Sequence, residues 1–220
     1  MIVLIDKEKG VTSFDVVSKV RKITGIKRVG HGGTLDPNAT GLLIVAIGRE
    51  DTPKLGDISK NTTKIYLTEI ILGEKRDTDD IEGKIVSENK NIIPTQDQIN
   101  EVLSKFVGEM EQIPPIYSAI KMNGRKAYDI ARAGGIVQMK SRQVVIHKIY
   151  DVFYLYPKLV FRVEVSSGTY IRSLARDIGN ELGTYGYLNN LRREKIGEYE
   201  LKDALSILEF EEKTRKMAKS

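Results

Sequence analysis

The sequence predicts an α+β fold with a mixed, largely antiparallel sheet flanked by helices. Three observations carry this. Apolar and alternating runs of strand length are interleaved with helical periodicity, but in no regular strand–helix–strand rhythm. Residues 143–156 and 158–166 read as two long strands turned near Pro157, an antiparallel hairpin. The chain has 220 residues, 40% hydrophobic and 30% charged, which is enough for a sizeable core and ordinary for a folded protein.

The elements follow in order. Residues 2–5 read as a short strand. Thr12 or Ser13 then caps a helix with Asp15 in its first turn, Val16, Val17, Val20 and Ile23 at helical spacing, and Gly25 as its stop. After a glycine-rich loop, Leu42 to Ile47 is a continuous apolar run, the pattern of a buried strand. Residues 62–72 alternate as a strand, and 83–87 can pair with it through an acidic turn. Thr95 and Gln98 make a capping box for a helix whose apolar face is Ile99, Val102, Leu103 and Phe106. Pro114 and Pro115 break that pattern, and the basic stretch after them reads as a loop, a short helix around 126–134 and a return strand. Beyond the long hairpin, Thr169 opens a helix with Ile171, Leu174, Ala175, Ile178 and Leu182 inward, ended by Gly183. A strand near 187–197 and a short helix near 203–208 follow, then a charged tail at 211–220. No repeat, low-complexity tract or linker interrupts this, so residues 1–210 are expected to form one domain.

Composition removes several function classes. With no cysteine there are no disulfides and no thiolate chemistry, which fits a cytoplasmic protein. No apolar run approaches membrane-spanning length, and the opening "MIVLIDKEKG" lacks the features of a signal peptide. The net charge of +5 permits a polyanionic partner without demanding one. Its distribution says more. Residues 114–142 hold Lys121, Arg125, Lys126, Arg132, Lys140 and Arg142 against the single acid Asp129, while 74–82 hold Glu74, Asp77, Asp79, Asp80 and Glu82.

The passage "RVGHGGTLDPNATGLL", residues 28–43, packs four glycines around Asp36 and His31. It lacks the Lys-Ser/Thr of a phosphate-binding P-loop and the glycine spacing of a dinucleotide fingerprint. His31 and His147 are far apart and there are no thiolates, so zinc is not expected. The acidic turn 77–88 resembles a calcium loop only in part, because Ile81 and Glu82 stand where a ligand and a glycine belong; a solvated hairpin turn is the better reading. Asp36 has two readings. Asp-Pro-Asn is a common way to begin a turn. Equally, a residue before proline is held extended, and flanking glycines leave room beside it, which is what a single-acid mechanism requires.

Five segments, in order, resemble the motifs of the TruB family of tRNA pseudouridine-55 synthases: "DKEKGVTSFDVVSKVRK", "GHGGTLDPNATGLLIVAIG", "KIYLTEIILGEKRDTDDIEGKI", "EQIPPIYSAIKMNGRKAYDIARAGG", and "VSSGTYIRSLARDIGNELG" followed by "YLNNLRR". The resemblance runs from about residue 4 to about residue 208. It implies a pseudouridine synthase fold with an RNA-gripping insertion at about 114–142, and an isomerase that needs no cofactor and no metal. Such an enzyme detaches uracil from its ribose, turns the ring and rejoins it through carbon.

By this resemblance Asp36 is the catalytic acid, attacking sugar or base. Tyr66 would stack on the uracil and could move a proton, where pattern alone makes it an inward strand tyrosine. Tyr170 would line the uridine pocket rather than merely pack at a helix start, and Arg172 would pair with Asp36. Leu191 would close the pocket, and His31 would press into the RNA where the target base leaves its stack. Lys121, Arg125, Lys126 and Arg132, with Tyr117 and Tyr128 interleaved, suit the phosphates and bases of a tRNA T-arm. A solvated face is the plainer account of each of these charges.

Some positions depart from the family pattern. Gly32 stands where Thr is usual, Asn38 where an apolar residue is common, and "GREDTPKLGD" is slightly long. Many relatives carry a further small RNA-binding domain, often of the PUA type, where this sequence has only "EFEEKTRKMAKS". A short form acting as a monomer, without an obligatory protein partner, is therefore expected. Two other readings compete. A non-enzymatic RNA binder would have no need of Asp36. Hydrolysis of the same bond normally uses two placed carboxylates, and only one candidate is found.

Overall fold

The computed structural model describes residues 1–60, 62–118, 120–122, 125–127, 130, 135 and 138–217, with backbone alone at 121, 122, 125 and 126. In chain order the first elements are β1 (Ile2–Lys7), α1 (Ser13–Thr24), β2 (Val29–Gly32), β3 (Thr40–Ile47), α2 (Leu55–Lys60), β4 (Lys64–Leu72), β5 (Glu74–Arg76) and β6 (Ile85–Glu88). Then come α3 (Gln96–Lys105), β7 (Gly108–Gln112), β8 (Lys121–Met122), β9 (Arg125–Lys126), β10 (Arg142–Leu155) and β11 (Lys158–Val165). The last are α4 (Ile171–Glu181), β12 (Gly186–Ile196), β13 (Tyr199–Glu200) and α5 (Ile207–Met217). Met1–Leu67 with Leu191–Ser220 form one unit and Thr68–Asn190 the other. Among the described residues no helix is long and apolar enough to cross a membrane.

In the first unit β3 is the central strand. It pairs antiparallel with β1 and with β2, and parallel with the end of β12 through Arg192↔Thr40 and Arg193↔Gly41. Its residues are buried on both faces, which is why the run is apolar throughout rather than alternating. Leu43, Val45 and Ile47 pack with Val16, Val17 and Val20 of α1 and with Phe210, while Leu42, Ile44 and Ala46 pack with Leu55 and Ile196. Each such side chain contributes about 1.5–3 kcal/mol when fully buried. Thr12 caps α1 in a reciprocal box with Asp15, and Gly25 ends it at φ 71°, as the sequence predicts.

The C-terminus differs from expectation. In place of a helix ending near 208 and a charged tail, α5 runs to Met217. Ser206 starts it: the Ser206 hydroxyl accepts from the Glu209 N–H at 3.2 Å, and the Glu209 carboxylate accepts from the Ser206 N–H at 2.8 Å. Phe210 anchors the helix in the core, so the charges around it form an exposed helical face.

In the second unit β10 lies between β7 and β11 and is antiparallel to both. The long hairpin turns at Tyr156–Pro157 as predicted. β7 was not expected: "GEMEQ" has no apolar alternation, and its pairing with β10 supplies the strand. α3 has the predicted capping box and buries Ile99, Val102 and Leu103. The strand that returns to pair with 85–88 is β5, a separate short strand after β4. The mixed pairing of the first unit and the antiparallel pairing of the second make the fold α+β. Most of the helix expected around 126–134 lies outside the described residues.

The acidic turn is a correction. It is solvated only in part: Asp77 and Glu82 are exposed, but Asp79 is 9% exposed, with its carboxylate 3.0 Å from the Arg176 guanidinium. Asp80 pairs with buried Arg172 at 3.5 Å. Both arginines come from α4, nearly a hundred residues away, so the sequence pattern of the turn could not show them.

Candidate active site

Asp36 sits in the loop between β2 and β3. Its carbonyl accepts from the Ala39 N–H at 3.0 Å, so Asp36-Pro37-Asn38-Ala39 is a hydrogen-bonded turn with proline at its favoured second position. The rest of the loop is tied down group by group. The Ser13 hydroxyl accepts from the Leu35 N–H (2.9 Å) and donates to the Leu35 carbonyl (3.1 Å). The Pro37 carbonyl accepts from the Gly10 N–H at 2.9 Å and from the Lys7 ammonium at 3.1 Å. The Arg193 guanidinium donates to the Gly33 carbonyl at 2.8 Å and to the Leu42 carbonyl at 2.8 Å. Asp36 thus begins a turn, and the turn's hydrogen bond restrains its backbone.

The electrostatics of this unit were not legible in the sequence. Lys7 and Arg193 are 0% and 1% exposed, and Lys64 is buried on β4. Lys7 also donates to the carbonyls of Glu8 (2.9 Å) and Val11 (2.8 Å), and Lys64 donates to the Ser59 carbonyl (2.9 Å). Burial pushes the Lys7 ammonium down to about 8; the Asp36 carboxylate opposes that shift and Arg193 adds to it. Burial, then Arg193, pushes Lys64 down to about 8. Buried cations survive because each is ringed by carbonyls. Close packing fixes Arg193 in place. Gly41 has φ +100°, and a Cβ there would lie 2.4 Å from the Arg193 carbonyl oxygen. One signal was available for Lys64: in "KIY" it alternates with Tyr66, so a strand that buries one buries the other.

The remaining predicted residues of this unit are on strands. Tyr66 is buried on β4. Leu191 is half-buried on β12, next to the Arg192↔Thr40 bridge, so the parallel register sets it beside the end of the Asp36 loop. His31 is on β2 opposite Val45. Its Nδ1 is buried with no hydrogen-bond partner among the described residues, and burial, then Arg193, lowers its pKa.

In the second unit Tyr170 is the N-cap residue of α4 and Arg172 lies in the first turn. The Arg172 guanidinium also approaches the Thr78 carbonyl at 3.5 Å. Arg176, one turn further, joins Asp79 to the Ile113 carbonyl, donating to the latter at 3.0 Å. Burial raises the Asp79 carboxyl pKa, and Arg176 works against that rise. Lys121, Arg125 and Lys126 lie on a small antiparallel hairpin, Lys121 opposite Lys126 and Met122 opposite Arg125. Arg132 lies outside the described residues.

Comparison with known proteins gives a consistent picture. The family model described as TruB family pseudouridylate synthase, N-terminal domain, matches residues 21–171. A tRNA pseudouridine synthase B of Protochlamydia amoebophila is 45% identical over 205 residues, covering 93% of this chain and 77% of that protein. One from Endomicrobium trichonymphae is 43% identical over 204 residues, covering 93% and 88%. Among solved structures, a chain of a Cbf5–Nop10–Gar1 complex superposes with a TM-score of 0.71 at 28% identity. That match covers 96% of this chain and 53% of the other, so this chain spans about half its length.

Proposed function

The chain belongs to the TruB family of pseudouridylate synthases, and we propose that it converts one uridine of the tRNA T-loop, position 55, to pseudouridine with Asp36 as its catalytic acid. It is an RNA isomerase with the pseudouridine synthase fold. The bond from ribose C1′ to N1 breaks, the uracil turns, and C1′ rejoins at C5. N1 gains a proton and C5 loses one, so atoms and electrons balance without a co-reactant.

The observation that carries the assignment is the Asp36 turn, tied at Gly33, Leu35 and Pro37 by side chains from three other elements or their flanks. A single acid acting on a flipped nucleotide must be held where the reacting atom arrives, since misplacement by about 1 Å can cost on the order of a hundredfold. Lys7 adds buried positive charge within electrostatic reach of that carboxylate, where low dielectric strengthens its effect on developing negative charge, and Arg193 holds the Gly33 end of the loop. In this reading Tyr66 stacks on the uracil, Tyr170 and Leu191 wall the pocket, Arg172 pairs with Asp36, and His31 fills the space the base leaves. Flipping the base costs a few kcal/mol, offset by stacking and phosphate contacts.

Residues 1–210, together with the rest of α5, then act as the catalytic domain. The insertion at about 114–142 grips the T-arm through Lys121, Arg125, Lys126 and Arg132. The enzyme works in the cytoplasm as a monomer without an obligatory protein partner. The test is Asp36→Asn, which keeps the turn because the Ala39 bond is to the backbone carbonyl. Base-resolution mapping of treated tRNA is expected to find no pseudouridine, with T-arm binding near normal. Substantial residual turnover would overturn the assignment.

A further inference from the structure

Tyr170 is held in an unusual way. It is the N-cap residue of α4, yet it makes no side-chain capping bond. One fully buried side chain meets both of its backbone polar groups, in addition to the first helix bond that the Tyr170 carbonyl accepts from the Leu174 N–H at 3.1 Å. The Gln112 amide oxygen accepts from the Tyr170 N–H at 2.8 Å, and the Gln112 amide nitrogen donates to the Tyr170 carbonyl at 3.1 Å. Gln112 is the last residue of β7, and across the strand pair it stands opposite Arg142, the first residue of β10. The Arg142 guanidinium carbon lies 4.5 Å from the centroid of the Tyr170 ring. Arg142 is half-buried, and its Nε is buried with no hydrogen-bond partner among the described residues. Gly168, at φ +89°, turns the chain just before Tyr170 beside that guanidinium, where even a Cβ would make only ordinary contact at 3.8 Å. Gln112 and Arg142 are also the two residues between which the basic insertion leaves the sheet and returns.

We infer that Gln112 and Arg142, paired at the neck of the insertion, are positioning residues that seat Tyr170, Gln112 through its backbone and Arg142 through its ring. The inference rests on the reading of Tyr170 as a wall of the uridine pocket. The neck that carries the RNA grip and the seat of the pocket aromatic are then one structural unit. Force on the insertion when RNA binds passes through the pair that fixes the ring. A planar guanidinium desolvated against an aromatic face is a specific contact that an aliphatic side chain cannot reproduce.

The test is a double-mutant cycle in the full chain with a T-arm hairpin as substrate. Arg142→Met is expected to lower single-turnover rate on the order of ten- to hundredfold, as misplacement of a pocket group does, with hairpin affinity within about twofold. In a Tyr170→Ala background the same change is expected to have no further effect, because its target is gone. Arg142→Lys, which keeps a cation over the ring, should recover part of the rate, and Gln112→Met should reproduce the Arg142→Met pattern. Thermal unfolding of each variant shows that the comparison is between folded proteins. Additive losses in the Tyr170→Ala background would overturn the inference, as would an effect confined to hairpin affinity, which would make Arg142 a phosphate contact. Wild-type turnover against an Asp36→Asn blank tests the function itself and does not depend on the cycle.

Discussion

Gly41 offers a sharp test of how the Asp36 loop is supported. At this position β3 meets β12 in parallel register, Gly41 opposite Arg193. Its φ is +100°, and an added Cβ would lie 2.4 Å from the Arg193 carbonyl oxygen and 2.8 Å from the Arg193 nitrogen. Two costs add in Gly41→Ala. A residue with a Cβ held in a sparsely populated backbone region costs about 1–3 kcal/mol. The clash is with backbone, which cannot rotate away, and overpacking costs about 1–3 kcal/mol more. The middle of the summed range, about 4 kcal/mol, corresponds to a fall in Tm of roughly 8–16 °C for a chain of this size. The control is Gly56→Ala on α2, where a Cβ meets nothing within 4 Å. It should gain about 0.5–1 kcal/mol, because alanine loses less backbone entropy in a helix. Scanning calorimetry reads both. Turnover should fall with Gly41→Ala beyond what instability explains, since Arg193 carries the bond to the Gly33 carbonyl. A Gly41→Ala protein within about 1 °C of wild type, a shift worth well under 1 kcal/mol, would refute the reasoning.

Other expectations follow from the same geometry. Burial holds Lys7 at about 8 in the folded state against 10.5 as its ordinary value, so between these values the unfolded chain binds more protons and the strain of burying this charge is relieved as pH rises. The stability of wild type minus that of Lys7→Met should therefore climb by about 3 kcal/mol across that window, and a flat difference in urea titrations would count against it. Tyr66→Leu should weaken binding of the flipped base more than Tyr66→Phe if the ring stacks; loss of turnover in Phe alone, with binding intact, marks the hydroxyl as a proton carrier, and full activity in both makes Tyr66 a plain core residue. Charge reversal at Arg125, Lys126 and Arg132 together should weaken T-arm binding and flatten its dependence on salt, because each neutralised phosphate releases counterions. An unchanged salt slope, together with a strong preference for intact tRNA over the hairpin, would place the grip elsewhere.

Local chemistry was legible from the residues alone. Thr12 with Asp15, and Thr95 with Gln98, cap their helices as their spacing requires, because a cap needs only neighbours three positions apart. The apolar run of β3, the hairpin around Pro157 and the Asp-Pro turn are local in the same sense. Ser206 and Glu209, three positions apart, carry the same capping signal, and it starts the helix that runs past 208.

The partners of charged residues were decided only by the tertiary structure. Read along the chain, Lys7, Lys64 and Arg193 are ordinary surface cations; in the fold they are buried among carbonyls, Arg193 bonding Gly33 across 160 positions. The acids of 77–82 read as solvated until α4 brings Arg172 and Arg176 to Asp80 and Asp79. β7 exists as a strand because β10 pairs with it, and Gln112 meets Tyr170 across 58 positions. The physical reason is common to all of these. Capping, turn and periodicity energies depend on atoms a few bonds apart along the chain. The free energy of a buried charge depends on which distant dipoles surround it, and those are set only when the strands find their register.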